Sequence, residues 1–223
     1  MTFNALLLPH TSLHLCKLIP HIPAAAASSA KVAVKKKAMR AALTSVSIAS
    51  DIQDYVPPVL ESSLIPFDLT VFPLHGDGGP WLCTQSDGGS LTHFAHPSTY
   101  YAVDLRCPVG TQIVAVCDGE VVDVRSDSTC TGTHVDNLFH WNSVQLRSDE
   151  GVYVEYVHIS GDGLMVKLND RVVAGQPICR SGEAGFCPEP HLHLEIHRIG
   201  EAGSPSVPIT RRGMRFVAGQ TYD

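Results

Sequence analysis

The chain has 223 residues, 44% of them hydrophobic and 17% charged, with a formal net charge of −6 at pH 7, which is enough chain for one sizeable core. All 22 acidic residues lie at Asp51 or later and face ten basic ones there, a balance of −12, whereas Lys17, Lys31, Lys35, Lys36, Lys37 and Arg40 precede them. So acidic a body argues against nucleic acid as a partner, because that binding depends on neutralising phosphates with Lys and Arg, and no apolar run is long enough for a transmembrane segment.

Residues 1–50 contain no acid, are rich in Ala, Ser, Leu and Lys, and include the run 24–30 of Ala and Ser followed by Lys35-Lys36-Lys37. This composition suits an organellar transit peptide, and equally a disordered extension or a start assigned too far upstream. The early run Ala5-Leu6-Leu7-Leu8 is cut short by Pro9, so it is a weak match for a secretory signal. Apart from such a leader the chain reads as soluble or secreted. Residues 51–70, with Pro57, Pro58 and Pro66, read as an extended lead-in, and 71–223 as the folded domain. The seven cysteines are widely spread without a Cys-x-x-Cys pair and read as mostly buried, reduced thiols.

From Val71 onward short apolar runs are punctuated by Gly and Pro, which predicts an all-β domain without helical periodicity. Tyr100–Cys107, Gln112–Cys117 and Glu120–Arg125, separated by turns at 108–111 and 118–119, read as a strand meander. After a loop over 126–140, Trp141–Arg147 and Val152–Ile159 read as a hairpin. A short strand is expected near Met165–Leu168, then Asp170–Pro177 leading to Ile178-Cys179, then a strong strand over His191–Arg198 and a loop-rich tail over 199–223.

The last strong strand carries the chemistry. Side chains alternate faces along a strand, so His191, His193, Glu195 and His197 share one face while Leu192, Leu194 and Ile196 enter the core from the other. The two imidazoles of His191 and His193 then stand roughly 6.5 to 7 Å apart at Cα, so one can bind a metal while the other serves what the metal holds. Asp104, within Tyr101-Ala102-Val103-Asp104-Leu105, is a carboxylate on an apolar strand that needs a partner if buried. His93 and His96 lie in a loop upstream that can bring either imidazole near Asp104, and His158 ends a strand at a rim. Two His and one Asp make a catalytic zinc set with a position left open. Hydrolysis of an amide then needs a proton carrier and a group that steadies the oxyanion, roles that suit His191 and His158. His75, His134, His140 and His197 read as surface or structural, with His197 singled out by sharing the face of His193.

Five segments in order resemble the M23 (LytM/lysostaphin-like) zinc metallopeptidases: Tyr101-Ala102-Val103-Asp104, then 107–122 from Cys107-Pro108 to Val122, Val154–Ile159, Val173–Ile178, and 181–196 from Ser181-Gly182 to Glu195-Ile196. The resemblance spans Gly88 to His197. It implies a small antiparallel β-sandwich or half-open barrel, the duplicated hybrid motif, preceded by an N-terminal extension. It also implies a zinc metalloendopeptidase acting on peptide or peptidoglycan cross-links, with zinc on Asp104, His193 and an upstream histidine, and with His191 and His158 catalytic. Tyr100 stands where many relatives place the first ligand, and the longer-spaced subgroup favours His93, with His96 as the alternative. Phe186-Cys187-Pro188-Glu189 replaces the usual Ser-Thr-Gly and reshapes one groove wall. A non-catalytic peptidoglycan-binding or regulatory module on the same fold is the rival expectation. Oligomeric state is not legible.

Overall fold

The computed structural model describes residues 64–200 and 203–223. The readings of 1–50 and of the lead-in up to 63 lie outside them. In chain order the strands are β1 (Phe67–Asp68), β2 (Leu74–His75), β3 (Trp81–Gln85), β4 (Val103–Arg106), β5 (Gln112–Val114), β6 (Gly119–Arg125), β7 (Ser143–Ser148), β8 (Tyr153–Val157), β9 (Arg171–Val172), β10 (Pro177–Arg180), β11 (His191–His197), β12 (Ile209–Arg211), β13 (Met214–Arg215) and β14 (Thr221–Tyr222). Two 3-10 turns, His93–Ala95 and Val135–Phe139, are the helical pieces among the described residues. None of the described helices is long and apolar enough to cross a membrane.

Eight strands form the main sheet in the order β14-β3-β4-β11-β8-β7-β6-β9, and β10-β5-β2 form a second sheet. Both are antiparallel throughout; the small β1-β12-β13 sheet contains one parallel pair, β1 with β12. The apolar phase of the main sheet faces the second. Leu105, Leu192, Leu194, Ile196, Val154 and Tyr156 share one cluster with Ile113 and Ile178 of the smaller sheet. That is the sandwich the resemblance implies, open rather than closed into a barrel. Tyr156 also ties the layers, since its hydroxyl accepts from the Val116 amide at 2.9 Å.

Three features differ from the sequence reading. The first three strands of the expected meander do not pair in succession: β4 lies between β3 and β11, whereas β5 joins the other sheet. The turn between them makes the transfer, with the Cys107 amide bonded to the Pro190 carbonyl and the Gly110 amide to the Ser181 carbonyl. Met165–Leu168 is not a strand. Met165 and Leu168 face solvent, and the Asp170 carboxylate accepts from the Lys167 amide at 3.0 Å, holding a turn instead. The tail is not all loop, because β12 pairs with β1 and β14 closes one edge of the main sheet on β3. The hairpin is found as β7 and β8, paired Val144 to Tyr156 and Leu146 to Val154. The six described cysteines are free, and of these only Cys130 is exposed.

Leu194, fully buried at the centre of β11, tests the packing of the layers. Leu194→Ala should lower the unfolding free energy by roughly 2–5 kcal/mol, the range for truncating a buried aliphatic side chain, measured from the shift of the urea midpoint.

Candidate active site

The register of the main sheet assembles the site. His193 of β11 pairs directly with Asp104 of β4, and Gln85 of β3 pairs with Asp104 in turn. Three polar residues remote in sequence thus stand in one cross-strand row on the face away from the core. On the other side His193 pairs with Val157 of β8, whose next residue is His158. His158 adopts φ +62°, in the left-handed region that non-glycine residues rarely occupy. Its carbonyl accepts from the Gly182 amide at 2.8 Å, and its Nδ1 lies 2.7 Å from the Ala184 carbonyl. This pairing leaves no room at residue 182, where a Cβ would stand 2.7 Å from the Ser160 amide nitrogen.

His93 arrives from the loop between β3 and β4 and is fully buried. Gln85 fixes that loop: its Oε1 accepts from the Leu91 and Thr92 amides at 3.1 and 3.0 Å, while its Nε2 donates to Asp104 Oδ2 at 2.7 Å. One side chain therefore orients the carboxylate and the loop that brings the histidine to it. Sequence reasoning missed Gln85. The signal available was the alternation Trp81-Leu82-Cys83-Thr84-Gln85, which places a Gln in the buried phase of the strand.

Tautomers follow from fixed acceptors. Carbonyl oxygens only accept, so His93 Nδ1, 3.1 Å from the Ser86 carbonyl, carries a proton, and in the neutral ring Nε2 holds the lone pair. The same holds for His158 against Ala184 and for His191, whose Nδ1 lies 2.7 Å from the Glu189 carbonyl. In the neutral form each of the three rings keeps its free lone pair on Nε2. His96 is arranged the other way. The Ser98 amide donates to its Nδ1 at 3.1 Å, so the proton sits on Nε2, and His96 is not among the converging donors.

Those donors are His93, Asp104 and His193, all buried and with their ligand atoms within 4.8 Å of one another. Asp104 Oδ1 lies 3.2 Å from His93 Nε2 and 2.8 Å from His193 Nδ1. Yet His93 Nε2 has no hydrogen-bond partner: its lone pair faces a carboxylate oxygen, an arrangement that a cation between them relieves. Two imidazole nitrogens and a carboxylate oxygen are also the donor types of an open catalytic metal site, so the residues fit a metal. Behind them, His193 Nε2 lies 3.4 Å from Glu195 Oε2, the carboxylate-to-histidine support that orients a ligating ring.

Electrostatics divide the histidines. Burial would push His193 down, but the Asp104 and Glu195 carboxylates outweigh it and raise the group to about 10. For Asp104, burial is overcome by His93, His191 and His193, which hold its carboxyl well below the usual range. His158 is pushed down to about 3 by burial and by neighbouring His191 and His193, and so stays neutral. Its ring centroid lies 4.7 Å from that of His191 and 6.1 Å from that of His193. Burial and the charge of Glu195 push Glu155, across from Glu195 on β8, up to about 7.

The wall beside His191 bears the replaced residues. The Cys187 thiol donates to the Glu189 carbonyl at 3.0 Å, and the Glu189 carboxylate pairs with Arg106 at 2.7 Å on the rim. A cavity of ≈ 480 Å³ opens there, lined by Gln85, Asp104, Arg106, Glu189 and His191 among others. Of the remaining histidines, His75, His134 and His140 are exposed, whereas His197 is buried with its Nδ1 2.9 Å from the Ser204 carbonyl.

Residues 98–205 match the sequence model of Peptidase family M23. Glycyl-glycine endopeptidase ALE-1 of Staphylococcus capitis is 35% identical over 97 residues, 43% of this chain and 24% of that protein. Lysostaphin of Staphylococcus simulans is 32% identical over 125 residues, 54% of this chain and 23% of that one. Peptidoglycan DD-endopeptidase ShyC of Vibrio cholerae is 34% identical over 106 residues, 45% and 22% of the two chains. The chain spans about a quarter of the length of these relatives. The matched segment contains Asp104, His158, His191 and His193, and β3 with its following loop adds Gln85 and His93. The similarity to peptidase family M23 thus covers residues 98–205, just under half of the chain, and extends to relatives of the lysostaphin type.

Proposed function

We propose that the domain is a zinc-dependent metalloendopeptidase that hydrolyses peptide bonds of the peptidoglycan cross-link type. The observation that carries the reading is the convergence of His93 Nε2, Asp104 Oδ1 and His193 Nδ1 at one buried point, with His191 Nε2 3.6 Å from Asp104 Oδ1 and the His158 ring 6.1 Å from that of His193. His93, Asp104 and His193 would hold the ion. When bound, zinc supplies Lewis-acid chemistry, making water a competent nucleophile at neutral pH and polarising a carbonyl.

The other steps fall to the chain's own side chains. His191 and His158 flank the reacting centre, each with Nδ1–H fixed on a backbone carbonyl. His191 Nε2 takes a proton from the attacking water and returns it to the leaving amine, while the neutral ring of His158 lies beside it, its centroid 4.7 Å from that of His191. Gln85 keeps Asp104 Oδ2 occupied, which leaves Oδ1 toward His93 and His193, and Glu195 holds the His193 ring by its Nε2–H. The names of the relatives, glycyl-glycine endopeptidase and peptidoglycan DD-endopeptidase, support a cell-wall peptide as substrate class.

Three measurements test this reading. The zinc-loaded chain should cleave peptidoglycan or oligoglycine peptides, with His191→Ala and His158→Ala each lowering turnover by roughly 10²–10⁴-fold while retaining zinc; zinc-loaded protein that binds cell-wall material and leaves it uncut would establish a binding module instead. His93→Ala should lose one equivalent of zinc and His96→Ala none, and the reverse would reassign the ligand. Gln85→Leu should weaken zinc affinity by roughly 10–100-fold, the usual effect of removing a group that orients a ligand, as read by competition with a chelator.

A further inference from the structure

The polar face of β11 continues past His193. Glu195 and His197 follow on the same side, and Glu195 pairs in register with Glu155 of β8. One carboxylate oxygen from each Glu and a ring nitrogen of His197 lie within 4.8 Å of one another, and all three residues are buried. The geometry points to a second divalent-cation site at Glu155, Glu195 and His197, beside the first and built from its own ligands.

The first argument is spacing. His197 Nε2 lies 3.3 Å from Glu195 Oε1, and roughly 3.3 Å is the edge of a tetrahedron whose metal–ligand legs are about 2.0–2.1 Å. A second, independent observation lies outside the cluster. His197 Nδ1 is 2.9 Å from the Ser204 carbonyl, so it donates there and turns Nε2 inward, the same anchoring that His93 receives from Ser86 and one characteristic of ligating histidines. The third argument is charge. Two carboxylates directly opposite each other in a ladder repel, and burying them demands a counter-charge. The Ser143 side chain and Trp141 Nε1, the latter 3.4 Å from Glu155 Oε1, supply neutral hydrogen bonds to Glu155, and His193 engages Glu195 through the other oxygen, Oε2. Oε1 is left to His197 and whatever lies between them.

A mixed set of one imidazole and two carboxylates suits a zinc-class transition ion, since imidazole disfavours Mg²⁺ and Ca²⁺. Glu195 would then belong to both centres, ligating one ion through Oε1 and steadying His193 through Oε2. The competing account is a His197 imidazolium that neutralises the pair with no ion present.

The test is to strip the untagged 223-residue chain of metal, titrate it with Zn²⁺ and count ions per chain by native mass spectrometry. Glu155→Gln should hold one ion fewer than the unsubstituted chain, Asp104→Asn also one fewer, and the double variant two fewer. If Glu155→Gln disturbs the fold by circular dichroism, His197→Gln carries the same expectation. Equal ion counts in the unsubstituted chain and in a folded Glu155→Gln or His197→Gln variant would overturn the proposal in favour of the imidazolium. Because Asp104→Asn reports the first centre alone, failure at one centre is separable from failure at the other.

Discussion

The pairing of Asp104 with His193 across β4 and β11 is the constraint from which the rest of the site follows. Strand side chains alternate with a period of two, so a slip of one residue would exchange every side chain between core and site. Leu105 opposite Leu192 and Val103 opposite Leu194 hold that register from the buried side. The apolar half of the sequence pattern therefore sets the alignment, and the polar half inherits it. A centre built this way needs few long side chains to reach its point of convergence, because the sheet backbone has already brought the donors within a few ångströms.

The cost of the arrangement is electrostatic. Asp104, Glu155 and Glu195 are all buried on one face, a composition that opposes folding unless each carboxylate finds a donor or a cation. The histidines divide this task. His193 lies between Asp104 and Glu195, His197 meets Glu195 on its other oxygen, and His93 approaches Asp104 without donating to it. Backbone carbonyls at Ser86, Ala184, Glu189 and Ser204 hold a proton on Nδ1 of each ring, so the tautomers are set by acceptors that cannot themselves change state.

What could be read from sequence was what depends on local period. The alternation from His191 to His197 shows both the strand and its two faces, and the β7–β8 hairpin is marked by apolar runs flanking Asp149-Glu150-Gly151. Asp104 stands out because a carboxylate among Tyr, Val and Leu requires a partner. What escaped depends on contacts distant in sequence. The donation from Gln85 to Asp104 spans 19 residues, and the pairing of β4 with β11 rather than with its successor is set by the layer that β5 joins. The tail strands fall in the same class, since two-residue elements such as β14 exist only by virtue of the neighbour they pair with. His93 and His96 are equivalent in composition, and they are distinguished only by which ring nitrogen faces a backbone donor or acceptor.

The main sheet ends on both sides in two-residue strands, β14 at one edge and β9 at the other. Exposed edges invite strand addition by other chains, and here β9 pairs only with Gly119 and Glu120 of β6 and β14 only with Trp81 and Leu82 of β3. Among the described residues, 122–125 of β6 are therefore a length of sheet edge that no strand covers.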